Sequence, residues 1–210
     1  MKKLALIGLL LCVSCFVLIG CNQNMVGEKE ITICLQPYNG FPPTELIKLR
    51  DDIENGLDTL VPEMVFNVEI LDDKTIPEQY YITPQNGARY RADSIIRYQK
   101  RFGNPNYILG ITQSDICADV HNVSAWGILG LSFCPGKSSV VLNYRVRNKA
   151  LFYKVAVHEL LHCLGLPHCG HKDRSCYICD ANGTPQLEKQ TRLCDPCREK
   201  LYAAQAIKTK

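Results

Sequence analysis

Runs of apolar and polar positions along the chain predict an alternating α/β order. "EITICLQP" (30–37) is β-branched and apolar and predicts a strand. "PPTELIKLRDDIENGLDTLVP" follows, with proline at both ends and Thr44 as an N-cap candidate. Its Leu46, Ile47, Leu49, Ile53, Leu57 and Leu60 recur at helical spacing. "MVFNVEIL" (64–71) alternates as a second strand, and "ARYRADSIIRYQKRF" (88–102) predicts a second helix. Three more strands are expected at 107–112, 126–133 and 138–146, and then a helix starting near Asn148. After it comes a cysteine-rich tail, closed by a helix with Asp195 as N-cap and Pro196 at its first position, where a missing N–H costs nothing. The order β-α-β-α-β-β-β-α implies an α/β (α+β) fold with a mixed sheet. No repeat or linker divides the chain, and its natural break is Gly165. One domain is therefore expected over 31–210, with an N-terminal part to 165 and a small C-terminal part over 166–210.

The first residues change the picture of where this domain works. "MKKLALIGLLLCVSCFVLIGC" sets two lysines before an apolar run and ends in Leu18-Ile19-Gly20-Cys21. That ending resembles the lipobox of bacterial lipoproteins. It implies a signal peptide over 1–20 and a lipid on the thiol of Cys21. The alternative is a plain transmembrane anchor, since the run is about long enough to span. Either places the rest of the chain outside the cytoplasm. The lipoprotein reading puts it in the bacterial cell envelope, held to a membrane through Cys21. Residues 21–30 form a short polar tether, too short for a latency-conferring pro-segment. The sequon Asn122-Val123-Ser124 is read as chance in such a protein.

Charge adds little. With 24 basic and 21 acidic residues and a net charge of +3, the chain carries no nucleic-acid footprint. An apolar content of 46% suits an ordinary globular domain, and a monomer is expected.

The candidate chemistry lies in "VAVHELLHCLGLPHCGH" (155–171), which holds four of the five histidines. His158 and His162 are one helical turn apart on one face, so both imidazoles can reach one Zn²⁺. Glu159 is placed to act as general base towards a zinc-activated water. Gly165 can take the left-handed turn that ends the helix and brings back His168 as third ligand. Three ligands leave a position open for water or substrate, as in a catalytic site. The full pattern H-E-x-x-H-x-x-G-x-x-H matches the signature of the metzincin metallopeptidases. His171 falls outside it and is expected in solvent.

Twelve cysteines are present, three of them in the leader region. "HCGHKDRSCYICDANGTPQLEKQTRLCDPC" resembles the archaemetzincins, whose four cysteines in this region bind a second, structural zinc. Carried over by position, these are Cys169, Cys176, Cys194 and Cys197. The resemblance is specific from His158 to Cys197 and loose before it. It implies a metzincin-like mixed sheet with two packing helices, an active-site helix and a cysteine-rich zinc-binding subdomain. It further implies two zinc ions per chain and hydrolysis of a peptide or protein substrate, by an amino- or endopeptidase mode it does not fix. Two features depart from the family. Six residues separate the first two cysteines where the family has four, and Ile178 stands at the family's methionine position beneath the metal. Ile178 keeps the bulk, so the floor of the site is expected to survive.

Cys179 creates a rival set. Spacing alone favours Cys176-x-x-Cys179 with Cys194-x-x-Cys197, as in a zinc ribbon, while the resemblance favours Cys169. Tail disulfides remain a third possibility in an oxidising compartment. Cys117 and Cys134 are the best disulfide candidates elsewhere, and Cys34 and Cys163 are expected as core thiols. "AWGILGLSF" is the candidate edge strand along the cleft, or else a core strand, with Trp126 and Phe133 lining subsites or packed inside. Tyr144, Arg145, Tyr177 and His171 are candidate oxyanion donors by chain proximity. The alternative to an enzyme is a catalytically silent two-zinc scaffold, against which Glu159 argues.

Overall fold

A computed structural model describes residues 30–207 except 86, 105, 121, 172 and 181–185; the side chains of 206 and 207 are also outside the description. The leader, the tether and Cys21 lie outside the described residues. No helix among those described is long and apolar enough to cross a membrane.

A five-stranded sheet is built from β1 (Glu30–Pro37), β2 (Val65–Ile70), β5 (Tyr107–Thr112), β8 (Gly130–Ser132) and β9 (Ser138–Leu142), in the order β2-β1-β5-β9-β8. All its pairs are parallel except β8 on β9. Every residue of β5 and β9 is buried. Their unbroken apolar runs are what a parallel sheet covered on both faces requires. Helices α1 (Pro43–Leu60) and α3 (Phe152–Cys163) pack on one face. They bury Leu49, Ile53, Leu57, Val157 and Leu160 against Ile33, Leu35, Leu109 and Val141. Helix α2 (Ala92–Gln99) covers the other face, where Ile95 and Ile96 meet Val140 and Leu142. The first cluster continues past Gly165 through Leu166, Ile178 and Leu201 of α4 (Asp195–Ile207), so the C-terminal part shares the main core.

Several expectations need correction. Residues 88–102 are not one helix: Arg89–Arg91 form strand β4 before α2 begins. Contacts across the chain hold the segment extended, among them a partly buried ion pair. Arg89 donates to Asp115 at 2.8 Å and to the carbonyl of Ala125, which draws this segment beside β6 (Ile116–Val120). A second sheet, β3-β4-β6-β7, results, completed by β3 (Tyr81–Ile82) and β7 (Val123–Gly127). The expected strand 126–133 is two strands in two sheets: the chain leaves β7 at Gly127 and joins the main sheet as β8. β8 is the edge of that sheet. Helix α1 starts at Pro43 behind Pro42 with no side-chain cap, so Thr44 is not its N-cap. At α4 the amides of Cys197 and Arg198 bond the carbonyl of Cys194, one residue before the expected cap at Asp195.

Candidate metal centre

Helix α3 opens after a single 3-10 turn (Lys149–Leu151) capped by the Asn148 side chain. Its close matters more. Gly165 has φ +101°, a conformation that L side chains rarely adopt. The Gly165 amide bonds the carbonyl of His162 at 2.9 Å, and the Leu166 amide bonds that of Leu161 at 3.0 Å. This paired closure is a Schellman turn. It also turns the Leu166 carbonyl back to 2.7 Å from Nδ1 of His162. Nδ1 of His158 lies 2.7 Å from the carbonyl of Tyr177. Both Nδ1 atoms therefore carry the proton and donate it, leaving each Nε2 with a bare lone pair.

The two Nε2 atoms stand 3.2 Å apart and neither has a proton to offer the other. Burial holds both imidazoles down to about 4, so near neutral pH no proton relieves the opposed lone pairs. His168 arrives from beyond the turn, with its ring centroid 5.4 Å from His158 and 4.7 Å from His162. One ligand atom from each of the three histidines falls within 4.8 Å of the others. Three imidazoles converging, with His158 and His162 held unprotonated by burial, fit a bound cation, and imidazole nitrogen suits zinc.

Glu159 is buried beside this group. Burial raises its pKa, and His162 and Ser132 partly oppose that shift. Its Oε2 accepts a 2.6 Å hydrogen bond from Ser132 Oγ on β8. Residue patterning alone missed Ser132, since a serine in a short strand carries no signal until the strand is known to face α3.

A second group lies immediately beyond. Cys169, Cys176, Cys194 and Cys197 place their sulfurs within 4.8 Å of one another, and all four are buried. Cys169 Sγ and Cys194 Sγ are 3.7 Å apart. Cys179 is not in this group; its thiol donates to the Asp180 carbonyl. Burial pushes Cys176 up to about 11 and Cys197 higher still. Cys169 differs: burial also raises it, but the His171 amide, the Cys194 and Cys197 thiols and the Asp173 amide together bring it below the ordinary value. Four buried sulfurs facing one another form a soft, closed donor set of the kind that holds structural zinc as thiolates. All nine described cysteines are thiols, and no disulfide joins Cys117 to Cys134. Cys117 instead donates to the Tyr90 carbonyl within the second sheet.

The oxyanion candidates are dispersed. Arg145 is committed to Asp115 at 2.6 Å and Tyr144 is 66% exposed. Tyr177 is buried with its hydroxyl towards Tyr153, and His171 is exposed. Trp126 is 50% exposed on β7, and Phe133 is partly exposed beside the Lys100 ammonium.

The chain is similar to archaemetzincins over most of its length. It is 27% identical to archaemetzincin of Natronomonas pharaonis over 153 residues, 64% of this chain and 82% of that protein. It is 28% identical to archaemetzincin of Methanocaldococcus jannaschii over 182 residues, 80% of this chain and 92% of that protein. The crystal structure of archaemetzincin from Methanopyrus kandleri superposes with a TM-score of 0.70 at 23% identity, covering 84% of this chain and 96% of that one. That superposition establishes the shared mixed α/β fold. No family model matches the chain.

Proposed function

We propose that this protein is a zinc metallopeptidase whose catalytic ion is held by His158, His162 and His168, with Glu159 as general base. The observation that carries the reading is the pair of Nε2 lone pairs 3.2 Å apart, each fixed by an Nδ1 hydrogen bond to a backbone carbonyl. Such outer bonds orient an imidazole for metal and raise its basicity. Similarity to proteins named archaemetzincin supports the same chemistry. When bound, zinc would lower the pKa of a coordinated water and polarise a peptide carbonyl.

The chain's own groups do the rest. Glu159 accepts the proton of the attacking water and passes it to the leaving amide nitrogen. Burial raises its proton affinity towards the range where one carboxylate can do both. Edge strand β8 lies beside the base and offers its unpaired backbone edge to an extended peptide, which would bind by main-chain pairing. Cys169, Cys176, Cys194 and Cys197 would hold a second, structural zinc. A purely structural three-histidine site has no use for a buried carboxylate, which weighs against a catalytically silent scaffold. The leader over 1–20 and a lipid on Cys21 would place this activity at the envelope of a bacterial cell, on a monomer that needs no partner beyond its substrate.

The test is zinc per chain, with a peptide-library digest, on a soluble form starting after Cys21. Two zincs are expected, one lost in His158→Ala. Glu159→Ala should keep both and lose turnover. Turnover that survives Glu159→Ala, or a folded chain without zinc, overturns the reading.

A further inference from the structure

Strand β8 has three residues, and two of them meet the same carboxylate. A Cβ built on Gly130 would fall 2.7 Å from Glu159 Cγ and 2.8 Å from Oε1, closer than real Cβ atoms come. Position 130 must therefore be empty of side chain for Glu159 to lie where it does. Two residues on, on the same side of the strand, Ser132 Oγ sits 2.6 Å from Oε2. Leu131 between them points the other way, into the cluster beneath α2. The main sheet fixes β8 in turn, because Gly130, Leu131 and Ser132 pair with Val141, Val140 and Ser139 of the wholly buried β9.

The result is a cradle. One residue leaves room for the carboxylate and the other holds one of its oxygens. A carboxylate on two rotatable side-chain bonds beyond Cβ has several orientations, and a hydroxyl anchored on a sheet edge selects one. With Oε2 committed to Ser132, Oε1 remains for the proton that moves during hydrolysis. We propose that Ser132 is a positioning residue for the general base Glu159, holding Oε2 and so fixing the rotamer of the carboxylate beside the histidine group, and that Gly130 is the space this rotamer requires. The proposal rests on the peptidase reading for its catalytic consequence and on geometry alone for the contact.

Two readouts separate those parts. The first is kinetic, on the zinc-loaded chain with a cleaved library peptide. Ser132→Ala should lower kcat about 10- to 100-fold, the size of one hydrogen bond to a charged group. KM should change less than threefold and zinc content not at all. Ser132→Thr, which keeps the hydroxyl, should recover most of the loss. The second needs no substrate: a double-mutant cycle on the melting temperature of the same chain. Ser132→Ala should lower Tm by roughly 2–6 °C in the native background and by less than about 1 °C when Glu159 is already alanine. Equal Tm losses in both backgrounds, or a native kcat in Ser132→Ala, overturn the proposal. Tm coupling with no turnover by any variant overturns the peptidase reading and the catalytic role of Ser132 while leaving the contact established.

Discussion

The carbonyl oxygen of Tyr177 lies 2.7 Å from Nδ1 of His158, and the residue before it, Cys176, belongs to the buried thiol group. His168 and Cys169 repeat the relationship, each neighbour facing a different group. The Cys169 amide, moreover, bonds the carbonyl of Ile178 at 2.8 Å. The thiol group is thus the frame on which two of the three histidines are hung. Cys176→Ser should lose the zinc of the cysteine group and also weaken zinc at the histidines about 10- to 100-fold, as loss of outer-sphere support does elsewhere. Competition with a graded series of chelators measures this; unchanged histidine-site affinity would separate the two groups.

Gly165→Ala should destabilise the fold by about 1–2 kcal/mol, because φ at +101° is costly for any L residue. Space is not the obstacle: an added Cβ would meet Ala204 Cβ at 3.5 Å and Pro135 Cβ at 3.7 Å, ordinary contacts. In a chain of this length that loss lowers Tm by roughly 2–8 °C. Zinc retention should fall with it, since the same turn aims the Leu166 carbonyl at His162.

Lys154, one turn before His158, is 7% exposed, and its ammonium donates to the carbonyls of Leu187 (2.9 Å) and Gln190 (2.6 Å). Lys154→Ala leaves both without a donor and should cost about 2–4 kcal/mol. Hydrogen exchange should quicken in residues 187–194, the approach to Cys194, before it quickens in the main sheet. Uniform quickening would mean that the lysine merely supports the core.

Ile178 is fully buried in the main core, and Ile178→Met nearly conserves volume, so it should change stability by less than about 1.5 kcal/mol. Ile178→Ala should cost about 2–5 kcal/mol and loosen the Cys169–Ile178 bond above it. Urea unfolding of the pair shows whether bulk is what the position requires.

Acid should remove the stability that Asp115 gives the second sheet. Asp115 binds both Arg89 and Arg145. Burial raises its pKa, but the two guanidiniums, Arg145 foremost, outweigh that and hold it below the ordinary value. A carboxyl depressed on folding stabilises fully above its unfolded pKa, near 4, and loses that contribution as pH falls through the folded value. Tm of the native chain should therefore fall between about pH 5 and 3 more steeply than that of Asp115→Asn.

The histidine turn was legible because every part of it is local. Spacing by four sets one helix face, and a glycine three residues on allows one turn. Strands β1, β2, β5 and β9 were legible for the same reason, as apolar or alternating runs. The second sheet was not, because its strands exist through pairing across the chain. Arg89–Arg91 runs straight into a helix yet forms a strand, because it pairs with β6, where Asp115 holds Arg89 and Asp119 holds Arg91. Gly127 gives no warning that one apolar run serves two sheets, and that break is what brings Ser132 to Glu159. Spacing favoured Cys179 over Cys169, whereas the fold gathers Cys169, which the Schellman turn carries inward directly behind His168.

Helix α4 touches the close of α3 through Gln205, whose amide reaches the Leu164 carbonyl at 2.7 Å. Every strand of the main sheet precedes α3 in the chain, while Tyr177, Cys194, Cys197 and Gln205 all follow it. A ribosome therefore delivers a complete sheet first, then the helix with His158 and His162, and only afterwards Tyr177, whose carbonyl holds the His158 ring, and Gln205, which bonds the close of the helix. During that interval the nascent chain carries His158 before the carbonyl that orients its ring, and the elements that complete the histidine group are made after the sheet that supports them.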